Sequence, residues 1–263
     1  MSEPVDLKTD QPHAARVYQY WLGGKDNYAA DRELGERMAQ LLPSLPGAAR
    51  ANRAFMVRSS RYLAQERGIR QYLDLGTGLP VAPNLHEVVQ QVDPRSRVVY
   101  VDNDPIVLVH ARALLTSDPR GATAYLDSDI RDPKRILEEA SATLDFSQPV
   151  AVSLIAIIQL IPDDAHVHAI LDTLLAALAP GSTLSLSAIT ADSDPEQVGA
   201  AVRAAHAQGL PVTPRTHDQT AALFAGLDLL DPGVVLAHRW YPDEDDPDLD
   251  DRDVHVYVGV GVK

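Results

Sequence analysis

Apolar runs broken by glycine and proline recur through the middle of the chain at the spacing of alternating strands and helices. QYLDL (71–75), RVVYVD (97–102), ATAYLD (122–127), VAVSLIAII (150–158) and STLSLSAI (182–189) are short and flanked by turn formers, which predicts five strands. VAVSLIAII lacks polar alternation, as expected of a central parallel strand covered on both faces. Helices are predicted between them over NLHEVVQQV (84–92), around 133–141, and after Pro162 and Asp163. In the last of these Val167, Ile170, Leu171, Leu174, Leu175 and Leu178 keep helical spacing until Pro180-Gly181. Asp104 and Pro105 supply an N-cap and a first-turn proline for a helix over IVLVHARALL. Upstream, ANRAFMVRSSRYLAQERG (51–68) predicts a helix stopped by Gly68. Downstream, DPEQVGAAVRAAHAQ and THDQTAALFAG predict two more, the second opened by a Thr216/Gln219 capping box.

The end of the chain departs from this alternation. VVLAHRW (234–240) and VHVYVGVGV (254–262) read as strands joined only by PDEDDPDLDDRD, with no helix between them, so they must pair antiparallel. The predicted fold is therefore α/β, a doubly wound, mostly parallel, seven-stranded Rossmann-like sheet with a C-terminal antiparallel hairpin. An N-terminal helical extension (1–50) precedes the main domain (51–263). In such open sheets the ligand lies beyond the carboxyl ends of the strands, at the switch in strand order.

Composition narrows the function. A chain of 263 residues, 45% hydrophobic, suits one α/β domain with added segments. A formal net charge of −14 repels phosphate backbones and disfavours a bulk nucleic-acid substrate. The absence of cysteine removes disulfides, thiolate nucleophiles and Cys-based metal sites. The opening MSEPVDLKTDQPH has neither a basic nor an apolar leader region, and the longest apolar run, PVAVSLIAIIQLIP (149–162), is too short to span a bilayer. A cytoplasmic protein with no membrane partner is expected. The acidic run at 242–253 lacks the glycine and spacing of a calcium loop and reads as a solvated connection without evident partners.

Chemistry concentrates at the strand ends. Asp74-Leu75-Gly76-Thr77-Gly78 lies where the first strand meets its helix, and glycines there let the backbone approach a ligand closely. No Gly-Lys-Ser/Thr follows, which excludes a Walker A loop, and Val81 at the third small position weakens a dinucleotide fingerprint. A merely connecting glycine turn is the plain alternative. Asp102, with Asn103 beside it, ends the second strand, where a carboxylate can accept from both ribose hydroxyls. Asp129 in LDSDIRDP could accept from an adenine amino group while the Ile130 N–H meets the ring, although an aspartate there also suits a simple turn. Three acidic sites at consecutive strand ends favour a nucleoside pocket. His166 and His168 make a poor metal pair at i and i+2, and no metal is expected.

DLGTG, VYVDNDP and LDSDIRDP, with the closing hairpin, resemble the class I S-adenosylmethionine-dependent methyltransferases. ARVYQYWLGGKDNYAADRE (15–33), together with YLDLGTGLP and VVYVDNDPIVLVHARALL, looks more closely like the actinobacterial S-adenosyl methyltransferase family first catalogued as a domain of unknown function. The likeness covers nearly the whole chain, with Pro80 standing where the wider class commonly has a third glycine. It implies a bacterial enzyme using S-adenosyl-L-methionine. Gly76 and Gly78 would line the methionine moiety, Asp74 would act near its amino group, Asp102 would take the ribose diol, and Asp129 with Ile130 would read adenine.

The segment from His13 to Asp31 is expected to act as a lid that forms much of an acceptor site. Tyr18, Trp21, Gly23, Gly24, Lys25, Asp26, Asn27 and Tyr28 are the candidate substrate contacts, because aromatics crowd here around a polar, glycine-hinged stretch in a chain with 5% aromatics. A helix stripe of Val17, Tyr20 and Trp21 packed on the core is the competing explanation. The expected activity is in-line methyl transfer to a small molecule. A non-catalytic module that holds S-adenosylmethionine or S-adenosylhomocysteine, and an NAD-dependent dehydrogenase, remain as alternatives. No residue stands out as a catalytic base, and AIIQLIPDD after the fourth strand lacks an Asn/Asp-Pro-Pro-aromatic motif, leaving O-, N- and C-methylation open.

Overall fold

The computed structural model describes residues 8–107, 109 and 117–263. Three helices open the chain: α1 (Ala14–Trp21), α2 (Ala29–Leu41) and α3 (Leu45–Gln65). The alternating part follows as β1 (Gln71–Leu75), α4 (Leu85–Val92), β2 (Arg97–Asp102), β3 (Ala122–Asp127), α5 (Pro133–Ala140), β4 (Ala151–Leu154), α6 (Asp164–Ala177), β5 (Thr183–Ile189), α7 (Pro195–Ala207) and α8 (His217–Ala222). The backbone is helical over 105–107, where the Asp104 carboxylate accepts from the Ile106 N–H at 2.9 Å. Most of the predicted helix over IVLVHARALL lies outside the described residues, as do residues 1–7.

The strands lie in the order β3-β2-β1-β4-β5-β8-β6, where β6 is Asp228–Leu229 and β8 is Val256–Val262; β7 (Val235–Leu236) also pairs with β8. All pairings among β1 to β5 are parallel, and β8 runs antiparallel to β5, β6 and β7. The predicted doubly wound sheet with one reversed strand is observed. Its closing hairpin differs in detail. Ala237–Arg239 turns as a 3-10 helix, so VVLAHRW contributes only two strand residues, and Asp228–Leu229 supplies a strand the apolar pattern did not predict. Two-residue strands carry too little periodicity to be read.

Side chains alternate across the sheet as the pleat requires. Leu73, Leu75, Val99, Val101, Val152 and Leu154 pack with α5 and α6, whereas Tyr72, Val98, Tyr100 and Ala151 pack with α3 and α4 on the opposite face. Each fully buried aliphatic side chain contributes roughly 1.5–3 kcal/mol. Trp240, 0% exposed, anchors the C-terminal hairpin on α3, edge-on to Phe55 and Tyr62 at centroid separations of 5.3 and 5.8 Å. A separate apolar cluster joins the N-terminal extension to α7 through Val17, Leu34, Met38, Leu42, Val198, Ala201 and Ala205. No helix among the described residues is long and apolar enough to cross a membrane.

The predicted strand VAVSLIAII ends at Leu154, well short of its apolar run. Ala156 adopts φ 58°, a left-handed conformation costly for a residue with a Cβ, and Ile158–Leu160 forms a 3-10 turn. Of the apolar residues that extend the run, Ile158 is buried in the sheet core and Ile155 and Ile157 are half-buried against it, which hydropathy alone cannot distinguish from a sheet position.

Candidate functional site

The carboxyl ends of β1, β2, β3 and β4 open into one cavity of about 380 Å³, roofed by α1 and bordered by α3 and the segment after β4. Its lining includes all seven sequence-predicted cofactor residues: Asp74, Gly76, Gly78, Asp102, Asn103, Asp129 and Ile130.

The glycine turn is tied to the neighbouring strand. The Gly76 and Thr77 N–H groups both donate to the Val101 carbonyl, at 2.9 and 3.2 Å. The Gly78 N–H donates to Asp102 Oδ2 at 2.8 Å, and the Asp104 N–H to Asp102 Oδ1 at 2.9 Å. Three amides in the turn are thus engaged within the protein, which alters the expectation that it offers N–H groups to a ligand. What the glycines supply is space and geometry. Gly76 and Gly78 have φ of +71° and +68°; a Cβ on Gly76 would strike Ile157 at 2.6 Å, whereas one on Gly78 would make only ordinary contact with Ala15 at 3.9 Å. Asp102 is 8% exposed, its two oxygens held in place by amides, and burial raises its pKa.

Asp74 lies deeper. Burial lifts its carboxyl to about 6, against the opposing hydrogen bonds of Ser153 and Thr77 and the charge of Arg53. Arg53, on α3, lines the same cavity; its guanidinium donates to the carbonyls of Val81 and Pro83, while Nε has no partner. A carboxylate and a guanidinium thus flank the glycine turn, complementary to an ammonium and a carboxylate on one ligand. Arg53 did not emerge from the sequence because it sits inside a helix 21 positions before Asp74, in no motif.

At the far end of the cavity Asp129 is held by Arg131, whose guanidinium and backbone N–H both donate to its carboxylate; the Asn103 amide donates at 3.4 Å. Arg131 is the main cause of the lowered Asp129 pKa. Beside it Ser128 is buried, and its Oγ lacks a hydrogen-bond partner.

The N-terminal residues divide. Tyr18 and Trp21 line the cavity. Trp21 is also fixed against α2, with its indole N–H on the Gly35 carbonyl at 3.1 Å, so the packing and lining explanations for this residue are both met. Gly23, Gly24, Lys25, Asp26, Asn27 and Tyr28 do not line the cavity. The polar side chains of this stretch serve a local tie instead. Gln19 Nε2 donates to Asp26 at 3.1 Å, and the Asn27 amide donates to Gln19 Oε1 at 3.1 Å and to the Gly24 carbonyl at 2.9 Å. Lys25 is exposed, and Tyr28 packs under the Arg16 guanidinium, 5.4 Å from its ring centroid. The glycine pair gives φ +80° at Gly23 and room for the Gln19 side chain at Gly24, where a Cβ would approach to 2.4 Å.

His166 and His168 lie on α6 and contribute nothing to the cavity lining. The acidic loop is not the unpartnered run expected. Arg58, itself buried, pairs with Asp246 and donates to the Trp240 and Ala237 carbonyls; Arg61 pairs with Asp243, and Arg239 with Asp251 at 2.6 Å. Arg58 and Arg61 sit on α3, some 180 residues earlier and beyond the reach of local charge counting, whereas Arg239 lies only 12 residues before Asp251.

The whole chain, residues 1–263, matches the family model described as S-adenosyl methyltransferase. Among solved structures, a DUF574-family protein of Streptomyces avermitilis is 46% identical, aligned over 98% of this chain and 100% of its own, with a TM-score of 0.96. A Thermobifida fusca protein assigned as a methyltransferase is 39% identical over 99% and 98%, with a TM-score of 0.90. The plantazolicin methyltransferase BamL, in complex with S-adenosylhomocysteine, shares the fold at 14% identity and a TM-score of 0.54 over 98% of this chain and 97% of its own. No curated protein matches. Family membership decides against the dehydrogenase alternative. With a glycine turn and acidic strand ends converging on one cavity, and a match that runs from the first residue to the last, the chain belongs to the S-adenosyl methyltransferase family and is an S-adenosylmethionine-dependent methyltransferase.

Proposed function

We propose that this enzyme methylates a small molecule held beneath the N-terminal helices, with the cofactor laid along the ends of β1, β2 and β3. The observation that carries this reading is the convergence of Asp74, Asp102 and Asp129 on one cavity whose remaining walls, from α1, α3 and the segment after β4, are mainly apolar. Asp74 and Arg53 would hold the amino-acid end of the cofactor, Asp102 with Asn103 the ribose diol, and Ser128, Asp129 and Ile130 the adenine. Bound S-adenosylmethionine supplies an activated methyl group and its own leaving group.

The protein's part is positioning. Gly76 and Gly78 allow close approach, Tyr18 and Trp21 close the roof, and the apolar wall excludes water from the line of transfer. Holding two reactants in that geometry is worth on the order of 7–11 kcal/mol in favourable cases. Residues 1–50 act as the cover and the remainder as the cofactor-binding domain, although α3 crosses that boundary, starting at Leu45. The two close relatives come from bacteria, which supports a bacterial enzyme.

Calorimetry with S-adenosylmethionine, S-adenosylhomocysteine and NAD tests the cofactor assignment, and a screen for transfer of isotopically labelled methyl from S-adenosylmethionine tests the activity. Binding of both adenosyl compounds and not NAD, with labelled product from at least one neutral small molecule, is expected. NAD binding as tight as that of S-adenosylhomocysteine would refute the reading.

A further inference from the structure

Beside the strand-end cavity lies a smaller inner compartment of about 80 Å³, bounded by α1, α2, α3, α7 and the start of β8. Tyr18, Trp21, Met38, Leu45, Gln159 and Ile189 line both spaces, so the two adjoin with only these side chains between them. Among the described residues, the inner lining contains no Asp, Glu, Lys or Arg. Its two titratable side chains both favour their neutral forms, because burial raises the Tyr18 phenol and lowers the His255 imidazole. His255 is also spoken for on both ring nitrogens, by Ser44 Oγ at 2.7 Å and Ser193 Oγ at 2.6 Å.

The buried side-chain atoms on this lining that have no hydrogen-bond partner are both amide oxygens. The Tyr18 hydroxyl donates to the Ala49 carbonyl at 3.1 Å, so its oxygen must accept, and Asn52 Nδ2 donates to it at 3.0 Å. This fixes the Asn52 amide with Oδ1 as its free end, and Asn52 Oδ1 is buried without a hydrogen-bond partner. Gln159 is 8% exposed, and its Oε1 is likewise unpartnered. Buried polar groups are rarely left unpaired without a functional reason.

We propose that the methyl acceptor is an uncharged molecule whose apolar end enters the inner compartment and which brings a hydroxyl or N–H donor to the side-chain oxygens of Asn52 and Gln159. This rests on the cofactor placement proposed above. A carboxylate or ammonium in the inner compartment would be buried without a counter-ion, which is strongly unfavourable. The compartment is smaller than the ~150 Å³ cavity that admits benzene, so it takes a short alkyl end and leaves the larger part of the acceptor beside the cofactor.

The test is binding to the full-length protein saturated with S-adenosylhomocysteine, by calorimetry or ligand-detected NMR, of four probes: 4-ethylphenol, 4-ethylanisole, 4-ethylbenzoate and 4-ethylbenzylammonium. The phenol should bind about fivefold or more tighter than its methyl ether, which lacks the donor. It should bind about a hundredfold or more tighter than either ion. Asn52→Leu should bring the phenol and ether affinities together while S-adenosylhomocysteine still binds; the comparison in the unmodified protein stands even if that variant does not fold. Equal binding of phenol and ether, tighter binding of either ion, or no binding of any probe to a protein that holds S-adenosylhomocysteine would overturn the proposal. Failure of S-adenosylhomocysteine itself to bind would instead remove the cofactor placement beneath it.

Discussion

The Arg16 guanidinium and the Asp31 carboxylate meet at 3.3 Å with side chains 3% and 0% exposed, and this ion pair organises the N-terminal extension. Asp31 also accepts from the His13 N–H at 2.9 Å and the Tyr28 N–H at 2.8 Å, so one carboxylate ties the start of α1 to the start of α2. Arg16 reaches back to the Gln11 carbonyl at 2.9 Å. The two residues are the Arg of ARVY and the Asp of DRE, which gives that motif a structural reason: it locks the roof over the cavity.

Asp31→Ala removes the buried carboxylate that faces the Arg16 guanidinium at 3.3 Å and leaves the His13 and Tyr28 N–H groups without their acceptor. Loss of one member of a buried pair typically costs about 3–5 kcal/mol. Urea unfolding should show that loss. In the fraction that stays folded, S-adenosylhomocysteine affinity should fall as well, because α1 roofs the cavity. An unchanged unfolding midpoint would show that the pair holds nothing together.

Asp102→Ala should weaken S-adenosylmethionine binding by about tenfold or more, since charge-assisted hydrogen bonds are worth roughly 1.5–3 kcal/mol each. The carboxylate also orders the Gly78 and Asp104 amides, so Asp102→Asn, which can still accept a hydrogen bond, should lose less than Ala. Equal dissociation constants for Asp102→Ala and the unmodified enzyme would exclude Asp102 from the ribose site.

Arg53→Met should weaken S-adenosylmethionine about tenfold and leave 5′-methylthioadenosine, which has no amino-acid end, within about twofold. Parallel calorimetric titrations decide the matter. A comparable loss for both ligands would mean that Arg53 supports the fold of the turn through the Val81 and Pro83 carbonyls and does not touch a ligand carboxylate.

Asp74 predicts a pH dependence. Its carboxyl titrates near 6 in the folded chain, above the ordinary carboxylate value, so between about pH 4 and 6 the native state binds the extra proton. The contribution of this group to stability therefore falls as pH rises across that window and is constant above it. A cofactor ammonium favours the charged form, so S-adenosylmethionine affinity should be flat above pH 6 and decline by up to about tenfold per unit below it. Asp74→Asn should bind more weakly at pH 7 and lose the dependence attributable to this carboxyl. A slope below pH 6 that survives the substitution intact would assign it to another group.

The legible part of this protein was local. Strand-length apolar runs, the Asp163 and Thr216 caps, and the aspartates that close QYLDL and RVVYVD sit within a few residues of the elements they define, so period and spacing carried them. The βα alternation set the sheet's parallel sense, and that alone placed Asp74, Asp102 and Asp129 at one edge. What depended on partners far along the chain was not legible. Ala156 leaves the strand with its N–H on the Ser187 hydroxyl, 31 residues later, and Asp228–Leu229 becomes a strand only because β8 offers it an edge.

The same division holds in the site. The sequence by itself determined which residues meet at the strand-end cavity, because each sits at or just after a strand end and the fold carries those ends to one side. Tertiary structure alone decided the use of Asp26 and Asn27, whose side chains close on Gln19 and the Gly24 carbonyl, and the identity of Arg53, Asn52 and Gln159 as cavity groups. It also decided which hydrogen-bond capacity is left for a ligand, since that is the remainder after every internal partner is counted. Such a remainder is a property of the packed molecule, set by neighbours as far apart as Tyr18 and Asn52, and no local pattern contains it.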